Sequence, residues 1–142
     1  MLMAKGTQLF LRTGVRIDMM NEKVYQTIFN TIAPLLPESW TKLVVYLEYG
    51  EDSYSFSFFY SDGKKYIKCY DIPDVSEDAL FASFKKIDQV VAPERNKIKG
   101  NPWSNMTMIV ASDGSMHTDF DYTDLSSGTY QYKKAWKKKY LV

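Results

Sequence analysis

Cys69 and His117 are the only cysteine and the only histidine in the chain, so they are the first pair to weigh for chemistry. A thiolate beside an imidazole is a nucleophile with its base. Cys69, however, sits inside an alternating strand pattern, where a buried, inert thiol is the usual occupant, and His117 falls on the water-facing parity of its own strand. The run Asp119-Phe120-Asp121-Tyr122-Thr123-Asp124 is the one cluster that resembles a site. Asp119 and Asp121, two residues apart on a strand, point the same way and could share Mg²⁺ or Ca²⁺. Nothing else in the sequence completes a coordination shell, so an acidic strip facing water or a partner is the simpler reading. No metal or cofactor is expected. The seven glycines are scattered, which leaves no phosphate-cradling loop, and no G-x-S-x-G elbow is present. Without a base–nucleophile pair, the chain is not expected to be an enzyme.

Charge narrows the partners. The net charge is only +1, so there is no bulk attraction to nucleic acid or to a membrane surface. Locally the charge is uneven. Residues 21–63 hold six acids and two bases, and residues 101–132 hold four acids and neither Lys nor Arg. Residues 133–142 hold five lysines and no acid. These lysines could track phosphates, but no base-reading motif accompanies them. They are expected on the wet side of a C-terminal helix, with Tyr130, Trp136 and Tyr140 reaching the core. An acidic sheet face with tyrosines beside it suits a basic protein partner; a merely solvated face is the plainer alternative.

The elements that must position these residues follow from periodicity. The 142 residues fit one domain, and one cysteine excludes a disulfide framework. An aromatic share of 15% favours strands. No apolar run approaches the length of a membrane span. Leu9-Phe10-Leu11 is too short for a signal-peptide core, and the expected location is cytoplasmic. Residues 1–18 read as an extension outside the domain pattern, with residues 19–142 as the single domain. Asn21 caps a helix expected to run to about Leu36, with Tyr25, Ile28, Phe29, Ile32 and Leu35 on one stripe. Strands follow over Trp40–Tyr49, Ser53–Ser61 and Lys64–Asp71, the last two joined by a tight Asp62-Gly63 turn. Asp74 and Glu77 have the form of a capping box for a second helix, with Leu80, Phe81, Phe84, Ile87 and Val91 inward and Pro93 stopping or kinking it. Two more strands flank Asp113-Gly114, and a helix from Tyr130 closes the chain. The predicted class is α+β, in the order α-β-β-β-α-β-β-α. Its sheet is largely antiparallel, of about five strands, with the helices packed on one face and the other left to solvent or a partner.

The same segments carry a resemblance. Glu22-Lys23-Val24-Tyr25-Gln26-Thr27-Ile28 leads through Leu36-Pro37-Glu38-Ser39-Trp40 into a strand, and the Tyr/Phe-rich run Tyr54–Tyr60 follows. Then come Asp71-Ile72-Pro73, Leu80-Phe81, Pro102-Trp103, Phe120-Asp121-Tyr122 and Trp136-Lys137. In order and spacing this set, from about Met20 onward, resembles the YezG-like family of bacterial immunity proteins. The resemblance implies an antitoxin that binds a cognate secreted toxin of the LXG, type VII-secreted kind, whose C-terminal domain is a nuclease, and keeps it inactive in the producing cell. It brings no catalytic residues. A nuclease holds nucleic acid in a basic cleft, so the expected contact residues are Glu48, Asp119, Asp121, Tyr122 and Asp124, with core placement of Tyr122 as the alternative. A different class, a small-ligand or regulatory module, instead requires an apolar cavity of about 300 Å³ or more beside the sheet.

Overall fold

A computed structural model describes residues 10–11 and 20–142. Six strands form one sheet in the order β1-β6-β5-β2-β3-β4. They are β1 (Phe10–Leu11), β2 (Lys42–Gly50), β3 (Ser53–Ser61), β4 (Tyr66–Lys68), β5 (Asn105–Ala111) and β6 (Ser115–Asp121). The helices are α1 (Glu22–Ile32), α2 (Glu77–Asn96) and α3 (Tyr130–Tyr140). From β2 to β6 every pairing is antiparallel, as the hairpin-linked runs predict. The two-residue β1 pairs parallel to β6 at Ser115–Met116. The rest of the expected N-terminal extension lies outside the described residues.

Local chemistry explains most boundaries. The Asn21 side chain accepts the Lys23 N–H at 2.8 Å and starts α1, whose last turn tightens to a 3-10 helix over Ala33–Leu35 around Pro34. The cap of α2 is Ser76, whose hydroxyl accepts the Ala79 N–H at 3.1 Å, and not Asp74. Asp74 instead stands at φ 67° inside the preceding turn. Pro93 does not stop α2, which runs on to Asn96. A proline forfeits one backbone bond, but here the helix is held beyond it by Arg95, whose Nε donates to the Trp103 carbonyl at 2.7 Å.

The third expected strand is cut short. After Lys68 the chain closes into a 3-10 turn over Cys69–Asp71. Both Cys69 and Ile72 are buried. Three residues apart, they would lie on opposite faces of a strand but on one side of a 3-10 turn. The Asp62-Gly63 connection is likewise longer than a two-residue hairpin. Ser61 pairs with Tyr66, and the Asp62 carboxylate closes the loop by accepting the Lys64 and Lys65 N–H groups.

Both sheet faces are covered, which corrects the expectation that all helices share one. Leu43, Val45, Leu47, Phe56, Phe58, Met106, Met108 and Val110 form the main core with α1 and α2. On the opposite face Val44, Tyr46 and Phe59 form a smaller cluster under Trp136 of α3. The physical reason is that β2 and β3 are apolar on both parities near their middles. Val44 and Tyr46 alternate with Leu43 and Val45, and Phe59 follows Phe58. Apolar area on the second face needs its own cover.

Candidate partner-binding site

The face under α3 is apolar in the middle and polar toward β5 and β6, and α3 is fastened to it by hydrogen bonds. Trp136 Nε1 donates to Thr107 Oγ1 at 2.8 Å while its ring packs edge-on to Tyr46. The Tyr140 hydroxyl donates to Asp119 Oδ2 at 2.6 Å. The Tyr132 hydroxyl donates to Asp121 Oδ2 at 2.8 Å and lies 3.0 Å from Asn105 Oδ1. The other oxygen of each aspartate is also engaged. Asp119 Oδ1 is 2.7 Å from His117 Nε2, and Asp121 Oδ1 accepts both the N–H and the hydroxyl of Thr123. Tyr130, expected in the core, is exposed, and Tyr132 takes the anchoring role.

The five expected contact residues therefore divide. Asp119 and Asp121 stand under α3 and line a cavity of about 280 Å³ between that helix and β5–β6. Glu48, Tyr122 and Asp124 line a separate groove of about 490 Å³ at the end of the sheet. There they meet Glu51, Asn101 and Arg95. Tyr122 is 46% exposed, which overturns its core alternative. Glu48 accepts the Tyr46 hydroxyl at 2.6 Å through one oxygen. Asp124 accepts the Ser126 N–H at 2.9 Å, and hydrogen bonds to Ser126 hold its carboxyl below the usual range.

Arg95 is the groove residue that the sequence did not reveal, because the tail of α2 gave no signal of its position. Its guanidinium lies over the Tyr49 and Trp103 rings, 5.0 and 5.4 Å from their centroids. Stacking of this kind fixes a cation by quadrupole attraction and packing. Tyr49 is itself tethered by donating to Asp88 at 2.6 Å. The groove is thus a rim of carboxylates beside a stacked guanidinium, its walls drawn from the ends of β2 and α2 and from the loops that precede β5 and follow β6.

The catalytic possibilities weighed from the sequence lose their geometry. Cys69 follows β4 and His117 is on β6, so four strand spacings separate their strands, about 19 Å at the usual interval. They also belong to opposite faces, Cys69 to the α1–α2 core and His117 to the α3 side. Burial pushes the Cys69 thiol up, away from thiolate. Among the described residues no group of three or more His, Cys, Asp or Glu is arranged to hold a metal ion. No helix among them is long and apolar enough to cross a membrane. The cavity under α3, about 280 Å³, has mixed walls, with Asn105, Thr107, Asp119 and Asp121 beside Phe120, Trp136 and Tyr140, whereas a small-ligand module calls for about 300 Å³ or more of mainly apolar wall.

Comparison with known proteins bears on what such a surface serves. A family model described as "Immunity protein YezG-like" matches residues 21–142. A protein named Immunity protein YezG from Bacillus subtilis (strain 168) is 25% identical over 131 residues, covering 84% of this chain and 87% of that protein. A protein of the same name from Bacillus spizizenii is 27% identical over 129 residues, covering 83% and 80%.

Proposed function

Because the chain belongs to the YezG-like family of immunity proteins, we propose that it is a non-catalytic antitoxin that binds a cognate secreted toxin. On this reading the toxic domain is a nuclease, and neutralisation takes place in the cytoplasm of the producing cell before type VII export. The observation that carries the reading is the family match across residues 21–142. The carboxylate-rimmed groove supports it physically. Glu48, Glu51 and Asp124 gather at one sheet end, and an acidic rim complements the basic cleft by which a nuclease holds its substrate. We assign Glu48, Tyr122 and Asp124 to toxin contact. Asp119 and Asp121 serve the interface indirectly, by holding α3 in place.

The test is direct. The cognate toxin domain is purified, and its cleavage of DNA and RNA is followed as this protein is titrated in. Loss of cleavage at stoichiometric addition is expected. Full cleavage in the presence of excess protein overturns the reading. A toxin domain that is inhibited but acts on another substrate keeps the antitoxin role and removes the nuclease.

A further inference from the structure

The edge of the sheet at β3 is only half covered. β4 pairs with Phe59–Ser61 and then turns away into the Cys69–Asp71 turn. The outward backbone groups of β3 can be identified from its neighbours. Tyr49 N–H points to the β5 side, donating to Ser104, so Tyr49 and its β3 partner Tyr54 do not bond each other. Asp62 N–H, of the same parity as Tyr54, donates toward the β4 side. The N–H and C=O groups of Tyr54, Phe56 and Phe58 therefore point to the outer edge. The Cys69 sulfur takes the Phe58 N–H. Tyr54 and Phe56 have no backbone hydrogen-bond partner among the described residues.

This free edge lies beneath an aromatic ledge. α2 crosses the sheet obliquely, with Arg95 at Trp103, Asp88 at Tyr49 and Phe84 edge-on to Phe56 and Phe58. Traced backward, its first two turns keep Leu80 in the core, whereas Phe81, expected inward from the helical stripe, is 57% exposed, one position further round the helix from Leu80. Tyr70, from the turn after β4, is 46% exposed and within electrostatic reach of Glu77. Tyr54, on the same face, is 41% exposed and stacks on Phe56. Neither lysine nor proline occurs in Ser53–Phe58, although edge strands are commonly blunted by such residues. The surrounding charge is acidic on balance: Glu51 and Asp52 form the β2–β3 turn, and Asp71, Asp74, Glu77 and Asp78 flank the ledge, against Lys68 and Lys85.

We propose that Ser53–Ser57 of β3 receives an extended segment of the toxin as an added strand, with apolar side chains under Phe81 and Tyr70 and a lysine or arginine beside Glu51 and Asp52. The inference rests on the antitoxin reading and names its interface. Main-chain bonds supply the attachment in this mode, and alternate side chains supply the selectivity. A second copy of this chain is the poorer occupant, since pairing two such edges brings like-charged acidic flanks together.

The experiment uses the full chain and its cognate toxin domain. Amide hydrogen exchange at Tyr54 and Phe56 is expected to be fast in the free protein and to slow by roughly tenfold or more in the complex. Tyr54→Pro removes one outward N–H without breaking an internal bond and is expected to weaken toxin binding roughly tenfold. Tyr54→Thr loses the same ring but keeps the N–H, so it is expected to lose clearly less affinity than Tyr54→Pro; equal losses overturn the backbone pairing. Should Tyr54→Pro fail to fold, Phe81→Ser on the exposed ledge gives the same reading through a lower affinity. A complex that inhibits the toxin while both amides exchange freely overturns the added strand and leaves the antitoxin role standing. Failure to bind the toxin at all overturns both. Slowed exchange that depends on protein concentration without toxin, with a dimer by light scattering, assigns the edge to self-association and overturns the proposal.

Discussion

At Asp121 two opposing effects meet. Burial pushes its carboxyl up, but hydrogen bonds from the Thr123 hydroxyl and N–H, the Tyr132 hydroxyl and the Tyr122 N–H outweigh it and leave the group below the usual range. A carboxyl depressed in the folded state contributes stability above its unfolded value, about 4, and loses it as pH falls through the folded value. Tyr132 is the reverse case. Burial, then its bond to Asp121, raises its phenol to about 12. That contribution is complete below the unfolded value of about 10 and is lost as pH rises through about 12. Docking of α3 is therefore expected to be firmest between about pH 4 and pH 10, as read by near-ultraviolet circular dichroism of the Trp136 environment. Asp121→Asn should flatten the acid limb; an unchanged limb would place the titrating group elsewhere. The buried Cys69 thiol should resist alkylation until the protein unfolds. Cys69→Ser should leave toxin neutralisation intact, and loss of neutralisation with folding preserved would revive a role for the thiol. The two aspartates were legible as a same-face pair because strand parity is local. Their engagement by Tyr140 and Tyr132 was not, because those partners are 21 and 11 residues away in sequence.

Among the elements, α3 is the least self-sufficient. It buries one side chain, Trp136, and carries lysines over much of the rest of its surface. Two of them still contribute locally, with Lys133 Nζ 5.5 Å from the centre of the Tyr46 ring and Lys139 Nζ 5.1 Å from that of Tyr140. Trp136→Ala should remove the centre of the second cluster and cost about 3–5 kcal/mol if the whole domain responds cooperatively. If α3 opens as a separate unit, the main urea transition should stay in place while the far-ultraviolet helix signal falls. Tyr132→Phe, which leaves Asp121 short of a donor, should cost about 1–3 kcal/mol. Urea unfolding of the two variants separates ring packing from hydrogen bonding. Element order and strand parity could be read because Ser53–Phe58 alternates cleanly and Met106, Met108 and Val110 share one parity. Side assignment could not be read with the same ease. It depended on the second apolar parity at Val44, Tyr46 and Phe59, a signal present in the sequence but masked by the stronger alternation of their neighbours.

Across the whole molecule the nearly neutral total conceals a spatial separation of charge. Glu48, Glu51 and Asp124 gather at the sheet-end groove, whereas Lys134, Lys137, Lys138 and Lys139 lie exposed on α3. A field of this kind acts mainly on encounter, because exposed charges steer diffusion and are screened within about 8 Å at physiological salt. Backbone pairing at an edge strand forms after encounter and acts mainly on dissociation. The two proposed contact regions therefore predict different kinetic signatures. Glu48→Gln with Asp124→Asn keeps groups able to accept the Tyr46 and Ser126 hydrogen bonds while removing two charges. This pair should slow association with the toxin domain by roughly threefold to tenfold at low salt, and the difference should shrink in molar salt. Tyr54→Pro should instead raise the dissociation rate with little change in association or in salt dependence. Stopped-flow mixing at several ionic strengths resolves the two. If the charge variant alters only dissociation, the groove is a docked contact and not a steering field. If it alters neither rate, the acidic sheet end faces water in the complex, and the toxin is held through the β3 edge or another surface.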